Sequence, residues 1–361
     1  MKIPPAVEID SRFWTQRRVL ITGHTGFKGA WLSLWLLSLG AEPVGLSAGA
    51  PSTPSLYALS GLTEHMREHT VDVRDADAVR AALAAARPDV VLHLAAQPMV
   101  RRSLREPAET YSINVLGTVN VLDAVRTIGS DVGAVVVVTS DKCYENRAGE
   151  RRPFVEDDPL GGADPYSSSK ACAELVAAAY RRSFFDDGDR PRLATARAGN
   201  VIGGGDWGED RLLGDAARAV ERGVALRVRN PRAVRPWQHV LNPLSGYLRL
   251  AESLWHDERA ARAWNFGPRA GDVRTVGEVV QRLAALWHGG LEWEVDGEAH
   301  PPEAGYLALD SAAAERELGW TPTWDLERSL ASIVEWHDAQ RAGEDTRAVS
   351  LRQIERFVEP R

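Results

Sequence analysis

A hydroxyl, a carboxylate and an amine stand in succession at Ser140, Asp141 and Lys142, and a phenol and a second amine follow at Tyr166 and Lys170. The first three close an apolar β-branched run, Ala134 to Val138, that reads as a buried strand. The other two are four residues apart in a stretch, Pro165 to Arg182, that reads as a helix, so they share one face. Brought to one point, these groups make a proton-transfer centre. A free Tyr titrates near ~10 and a free Lys near ~10.4, so the phenol is a base near neutrality only where a fixed cation favours its anion. Lys170 is placed to be that cation. Taken alone, Tyr-x-x-x-Lys more often marks a pair on a helix surface, and the surroundings must decide.

Those surroundings alternate strand and helix. Arg18 to Thr22 reads as a strand, Gly23-His-Thr-Gly26-Phe-Lys-Gly29 as a glycine turn, and Ala30 to Leu39 as an amphipathic helix. Glycines there let the backbone approach a pyrophosphate, which the exposed N–H groups and dipole of a helix N-terminus attract. Further strands are expected at Pro43 to Ser47, His69 to Val73, Asp89 to Ala96, Ala134 to Ser140 and Arg192 to Arg197, with helices at Ala76 to Ala86, Pro107 to Ile128 and Pro165 to Arg182. The pattern predicts an α/β, Rossmann-type doubly wound parallel sheet with right-handed crossovers. Ligands of such sheets bind at the carboxyl ends of the strands, where Gly23, Ala95-Ala96, Ser140 and Asn200 fall. The Asp or Glu expected roughly 20 residues past the glycines to hold a ribose is missing, and Ser47 stands in that stretch instead.

After Asn200 the alternation breaks down, which marks a smaller α+β domain over the sheet edge. We assign residues 1–199 with about 238–267 to the dinucleotide-binding domain, and about 200–237 with 268–361 to a nucleotide-sugar-binding domain. A helix is expected near Arg211 to Arg222, a strand at Trp264 to Gly267, and a terminal strand and helix within His300 to Trp320. Arg229, Arg232 and Arg235, spaced by three, would repel one another without an anion, and two phosphates call for such guanidinium forks.

Composition narrows the class. The 361 residues are 44% hydrophobic and 26% charged with a net charge of −7, values of a soluble globular protein and not of a phosphate-neutralising nucleic-acid binder. Cys143 and Cys172 have no metal-ligand spacing and form no disulfide framework, so no metal is expected and a reducing cytoplasm fits. The longest apolar run, Ala30 to Ala41, is too short to span a bilayer. Most of the 12 tryptophans are expected in the core.

Gly23-x-x-Gly-x-x-Gly29, Leu94-Ala-Ala96, Ser140 and Tyr166-x-x-x-Lys170 together resemble the extended short-chain dehydrogenase/reductase superfamily. More narrowly, GHTGFKGAWL, HLAAQPMVRRS, TSDKCYENR, PYSSSKACAE, ARAGNVIGGGDW and RPWQHVLNPLSGYL look like its CDP-glucose 4,6-dehydratase family, from about Arg18 to about Trp336. One departure is Asn242, where an acidic residue is expected. The resemblance implies NAD, held by Gly23, Thr25, Gly26, Phe27, Lys28, Gly29, Ser47, Asp72, Val73, Leu94, Ala95, Ala96, Tyr166 and Lys170. It implies CDP-glucose or a related nucleotide sugar as substrate, bound by Gln97, Arg102, Ser103, Asn200, Trp207, Arg211, Arg235 and His239. For Trp207 and His239, core packing is an equal alternative. A homodimer or homotetramer is implied through the helices Pro107 to Ile128 and Pro165 to Arg182.

Such an enzyme removes hydride from C4, eliminates water across C5 and C6, and returns hydride to C6. Tyr166 would take the C4 hydroxyl proton, with Lys170 and Ser140 supporting it. Relatives acting on dTDP-glucose place an Asp-Glu pair where this chain has Asp141-Lys142. Asp141 is the candidate acid at C6, for which it must be held protonated. Lys142 would serve the C5 step, either as a neutral amine or as a cation beside the developing enolate. A surface pair in a loop is the bland alternative. Two other functions share the first machinery: a nucleotide-sugar 4-epimerase, which needs no acid and base at C5 and C6, and a non-catalytic NAD(P)-binding sensor, which would not need Tyr166 or Lys170.

Overall fold

The computed structural model describes residues 8–128, 131–147, 149–185, 190–287, 290–298 and 304–359. Its central sheet has seven parallel strands: β1 (Arg18–Thr22), β2 (Glu42–Ser47), β3 (Arg67–Thr70), β4 (Val90–His93), β5 (Ala134–Val138), β6 (Arg192–Arg197) and β7 (Ala263–Asn265). Their spatial order is β3-β2-β1-β4-β5-β6-β7. The chain therefore reverses its direction of travel between β1 and β4, and the crevice above that switch point is where this architecture takes a ligand. The longer helices are α1 (Phe27–Ser38), α2 (Ala76–Ala86), α3 (Gly117–Ile128), α4 (Pro165–Phe184), α5 (Leu212–Arg222), α6 (Leu241–His256), α7 (Val276–Leu286), α8 (Leu326–Arg341) and α9 (Thr346–Val358).

Strand periodicity builds two cores. Val136 and Val138 of β5 face the layer of α1 and α6, whereas Val135 and Val137 face the layer of α2, α3 and α4. Every residue of β5 is buried, which explains its unbroken valine run. A third core, around Leu213, Trp237, Leu283 and Ile333, belongs to the smaller layer beyond the sheet. The C-terminal helix α9 does not join that layer: Phe357 packs edge-on against Trp35 of α1, with ring centroids 5.5 Å apart. Trp14, Trp31, Trp35, Trp264, Trp320, Trp324 and Trp336 are among the largest fully buried side chains.

The differences from the sequence reading have local causes. β3 ends at Thr70, not Val73, because its register against β2 closes at Ser47↔Thr70 and the chain then turns through Asp72. As an exposed edge strand of sequence REHT it carries no apolar alternation to read. The helix expected from Pro107 to Ile128 is broken by a π-helical turn, Ser112–Leu116. That turn swings Asn114 inward, where it bonds both Gln97 N and O (2.8 and 3.0 Å) and Ser169 Oγ (2.8 Å). Of the terminal strand, residues 299–303 lie outside the described residues, and the stretch beyond them makes isolated bridges, Tyr306 to Val234 and Leu309 to Phe154.

Asn242, where an acid was expected, ties α6 to the segment before α8. Its Oδ1 accepts from Thr323 N and Trp324 N (2.9 and 3.1 Å), and its Nδ2 donates to Trp324 O (2.8 Å). A carboxylate could accept the first two but not supply the third. Asn242→Asp is expected to lose about 1–3 kcal/mol of stability, the cost of leaving a buried carbonyl unpaired against an oxygen. Urea unfolding of the two proteins checks it.

Candidate active site

The glycine turn brings β1 and β4 into backbone contact. At Gly23, φ is +73° and an added Cβ would lie 2.8 Å from Ala95 N; at Gly29 it would lie 2.2 Å from Gly23 O. Only glycine fits either place. Gly26 begins α1 without any side-chain cap, which leaves the first-turn N–H groups turned toward the crevice. Glycine cradle and uncapped helix together fit a pyrophosphate. Leu94 N and Ala95 N are held by Thr22 Oγ1 at 3.2 and 3.1 Å, and that threonine also contacts His93 Nδ1 at 2.6 Å. Ser47, at the end of β2, shares a 2.7 Å hydrogen bond with Thr25. Asp72 is engaged by Arg74 at 2.5 Å, and Val73 O accepts from Asn120.

Three elements converge on the crevice. The end of β5 carries Ser140, whose Oγ donates to Asp141 Oδ1 at 3.0 Å and caps the turn through Lys142 N at 3.3 Å. Asp141 is 2% exposed, and among the described residues its buried Oδ2 has no hydrogen-bond partner. That carboxyl occupies the place where a Cβ on Gly199 would stand, 1.9 Å from Oδ2. Helix α4, begun by Asp164 as N-cap and Pro165, carries Tyr166 and Lys170. Tyr166 is buried, and its backbone N–H donates to Ser103 Oγ at 3.1 Å. Lys170 Nζ donates to Val138 O at 3.4 Å. Lys142 Nζ sits 6.0 Å from the centre of the Tyr166 ring, so the five residues form one cluster.

The structure distributes the expected substrate residues unevenly. Asn200, Arg211 and Arg235 line a cavity shared with Asp206, Arg229 and Trp237. His239 lies outside it, fully buried between Trp31 and Trp324. Trp207 packs on Trp336 and His337. Gln97 spends its amide on Thr110, Met99 O and Met99 N, and Arg102 pairs with Glu106 and Glu109. The repulsion argued for Arg229, Arg232 and Arg235 does not arise. Arg229 meets Asp210 at 2.6 Å, Arg235 donates to Ala304 O at 2.6 Å, and Arg232 is exposed. Lys28, expected at the cofactor, faces the catalytic cluster, its Nζ 3.3 Å from Tyr247 Oη. Tyr247 of α6 and Asp206 lie within RPWQHVLNPLSGYL and ARAGNVIGGGDW, two of the stretches that carry the family resemblance, but neither is among the site residues expected from the sequence.

The family model described as GDP-mannose 4,6 dehydratase matches residues 20–196. The chain is 48% identical over 358 residues to the CDP-glucose 4,6-dehydratase of Salmonella typhimurium, covering 97% of this chain and 98% of that protein. The chain belongs to the nucleotide-sugar 4,6-dehydratases of the extended short-chain dehydrogenase/reductase superfamily. It is also 32% identical to a dTDP-glucose 4,6-dehydratase of Streptomyces griseus, over 90% of this chain and 95% of that one. Among solved structures, DesIV, a dTDP-glucose 4,6-dehydratase from Streptomyces venezuelae with NAD and TYD bound, superposes with a TM-score of 0.76 at 25% identity, covering 91% of this chain and 99% of that one.

Burial governs the charges in this dehydratase. It pushes the Tyr166 phenol up to about 12, opposed by hydrogen bonding to Ser140 and by Arg211, while Asp141 and Asp164 add to the rise. It pushes the Lys170 amine down to about 8, with Glu174 and Cys143 working against the fall. Lys28 falls to about 7 through burial, then through Lys170 and Arg211, opposed by Asp141 and Asp206. An amine depressed in the folded state binds fewer protons there than in the unfolded chain between its two pKa values. For Lys170 this window runs from about 8 up to the ordinary lysine value of 10.5, and stability contributed through it rises with pH across the window. In the ligand-free dehydratase, Lys170→Met should therefore be more stable than wild type at pH 8, with the margin narrowing by pH 10. Thermal unfolding over that range reads it.

Proposed function

We propose that this chain converts CDP-glucose to CDP-4-dehydro-6-deoxyglucose and water, with NAD as a retained cofactor. The observation that carries the reading is Asp141-Lys142 set against Tyr166 and Lys170 in one crevice, Lys142 Nζ 6.0 Å from the Tyr166 ring. The CDP-glucose choice is supported by the 48% identity to the Salmonella enzyme. Residues around Gly23, Gly26 and Gly29, with Thr25, Ser47 and Asp72, would hold the cofactor, the sheet layer carrying it and the smaller layer holding the nucleotide. NAD supplies the hydride acceptor for C4 and the hydride donor for C6.

The chain's own groups move the protons. Tyr166 takes the C4 hydroxyl proton; Ser140 positions that oxygen, and Lys170 favours the phenolate. The C4 ketone acidifies C5, and Lys142, its Nζ 6.0 Å from the Tyr166 ring, would serve the C5 step. Asp141 gives a proton to the C6 hydroxyl, which leaves as water, and the C5–C6 double bond so formed accepts hydride at C6 and a proton at C5. The unpartnered Oδ2 of Asp141 is the oxygen free to do this. Arg211 and Asn200 are offered to the diphosphate across the cavity they line.

Incubation with CDP-, dTDP- and UDP-glucose in heavy water, followed by mass spectrometry, tests the assignment. The expected product from CDP-glucose has lost one water and gained one deuterium, at C5; a mass-neutral sugar change would indicate an epimerase instead. Lys142→Ala should keep C4 oxidation, seen as absorbance of reduced cofactor, and lose product at least tenfold. An unchanged yield would remove Lys142 from the reaction.

The same reading includes a homodimer. Leu116 beside α3 and Leu175 on α4 are 47% and 58% exposed, on the helices expected to pair. Light scattering should give twice the chain mass, and Leu175→Glu should halve it.

A further inference from the structure

Behind Lys170 lies a buried carboxylate that the reaction does not use. Glu174, one turn further along α4 and 3% exposed, accepts Thr139 Oγ1 on one oxygen. Its other oxygen accepts Thr195 Oγ1 at 2.7 Å and Arg197 Nη2 at 2.8 Å, both from β6. Arg197, itself 3% exposed, continues the chain: its Nη1 donates to Tyr144 Oη at 2.7 Å and to Glu156 O at 2.9 Å. Tyr144 Oη in turn donates to Asn265 Oδ1 of β7 at 2.7 Å.

The network touches every carrier of the catalytic cluster. Thr139 precedes Ser140, and its neighbour Val138 accepts from Lys170. Tyr144 follows Lys142 by two residues, and Glu174 shares the helix face of Lys170. A buried ion pair is seldom retained for stability alone, since apolar residues of the same volume serve as well. This pair is bonded further to groups that lead to the reacting residues. We propose that Glu174 is a positioning residue for Lys170: it clamps α4 to the ends of β5 and β6 and stands as the fixed anion behind the lysine. The inference rests on the proposed roles of Tyr166 and Lys170 in the reaction.

Among the described residues, Glu174 is the compensating charge that acts most on Lys170. Facing the amine are Glu174 on α4, Cys143 after β5, His93 of β4 and Lys28 of α1, with Arg197 of β6 on the far side of Glu174. His93, held down to about 3 by burial and then by Lys170, is neutral at working pH. Lys28 repels the amine, and the Cys143 thiol is raised by burial and stays protonated. Loss of Glu174 therefore leaves Lys170 among cations and neutral groups, and it must release its proton at lower pH.

The test is the pH dependence of kcat for Glu174→Gln. The high-pH limb, where the lysine loses its proton, should move acidward by about one unit. Glu174→Asp should return the limb to the wild-type position even where kcat stays low. A lowered kcat with the limb unmoved would make Glu174 merely structural and overturn the proposal. If the single variant does not fold, Glu174→Gln with Arg197→Met removes both charges and keeps the packing; the same acid shift is expected there, and its absence overturns the proposal equally. Tyr166→Phe with normal turnover would instead sink the underlying reading of the base, a result obtained without any change at Glu174.

Discussion

Desolvated positive charge is the constraint around which this crevice is arranged. Lys170 and Arg211 both press on the buried amine of Lys28, and Arg211 also acts on the buried Tyr166 phenol. Like charges so placed are tolerated only where anions are fixed nearby, and the fold delivers them from separate elements: Asp206 before α5 and Glu174 on α4. Asp210 plays the same part further out, taking both Arg101 and Arg229 on one oxygen. An enzyme that must hold a pyrophosphate and a nucleotide diphosphate has a use for this excess, because the ligands bring the missing negative charge. In the ligand-free chain the excess remains a cost, met by those carboxylates.

The glycine turn is the second condition. Gly23 can stand against Ala95 only with no side chain, and that contact fixes how closely β1 and β4 open the switch point. The neighbouring polar chain of Thr22, His93 and Thr118 then satisfies the backbone where the strands diverge. His93 is part of a structural relay, not a titrating group.

Much of this was legible in the sequence because it is local. The valine run of β5, the glycine spacing and the Tyr-x-x-x-Lys pair are each set by neighbours a few residues away, and the strands from Arg18 and Arg192 run to the expected residues. What was not legible depends on distant parts of the chain. No periodicity marks the π-helical turn that sends Asn114 to Gln97 and Ser169, and no local spacing brings Tyr247 beside Lys28, although Tyr247 and Lys28 each stand in a stretch that carries the family resemblance. The arginines at 229, 232 and 235 misled for the same reason, since their partners lie at Asp210 and at the Ala304 carbonyl. Glu174 was half visible: its spacing from Lys170 is readable, whereas its ties to Thr139, Thr195 and Arg197 need β5, β6 and α4 to be assembled first.

In the proposed reaction, oxidation and elimination meet at one hydroxyl. Ser140 donates to Asp141 Oδ1, and hydrogen bonding from the same group draws the Tyr166 phenol down from where burial puts it. A hydroxyl has one proton, so it can serve the phenolate or the carboxylate, not both at once. In the proposed reaction, a Tyr166 that has taken the C4 proton no longer needs that donor, which leaves Ser140 to Asp141 as the C6 oxygen departs. The adjacency of Ser140 and Asp141 in the chain, with Gly199 clearing the space beside Oδ2, would thus place the proposed acid of the second step under the influence of the proposed base of the first. A longer spacer between them would keep both residues and lose that link.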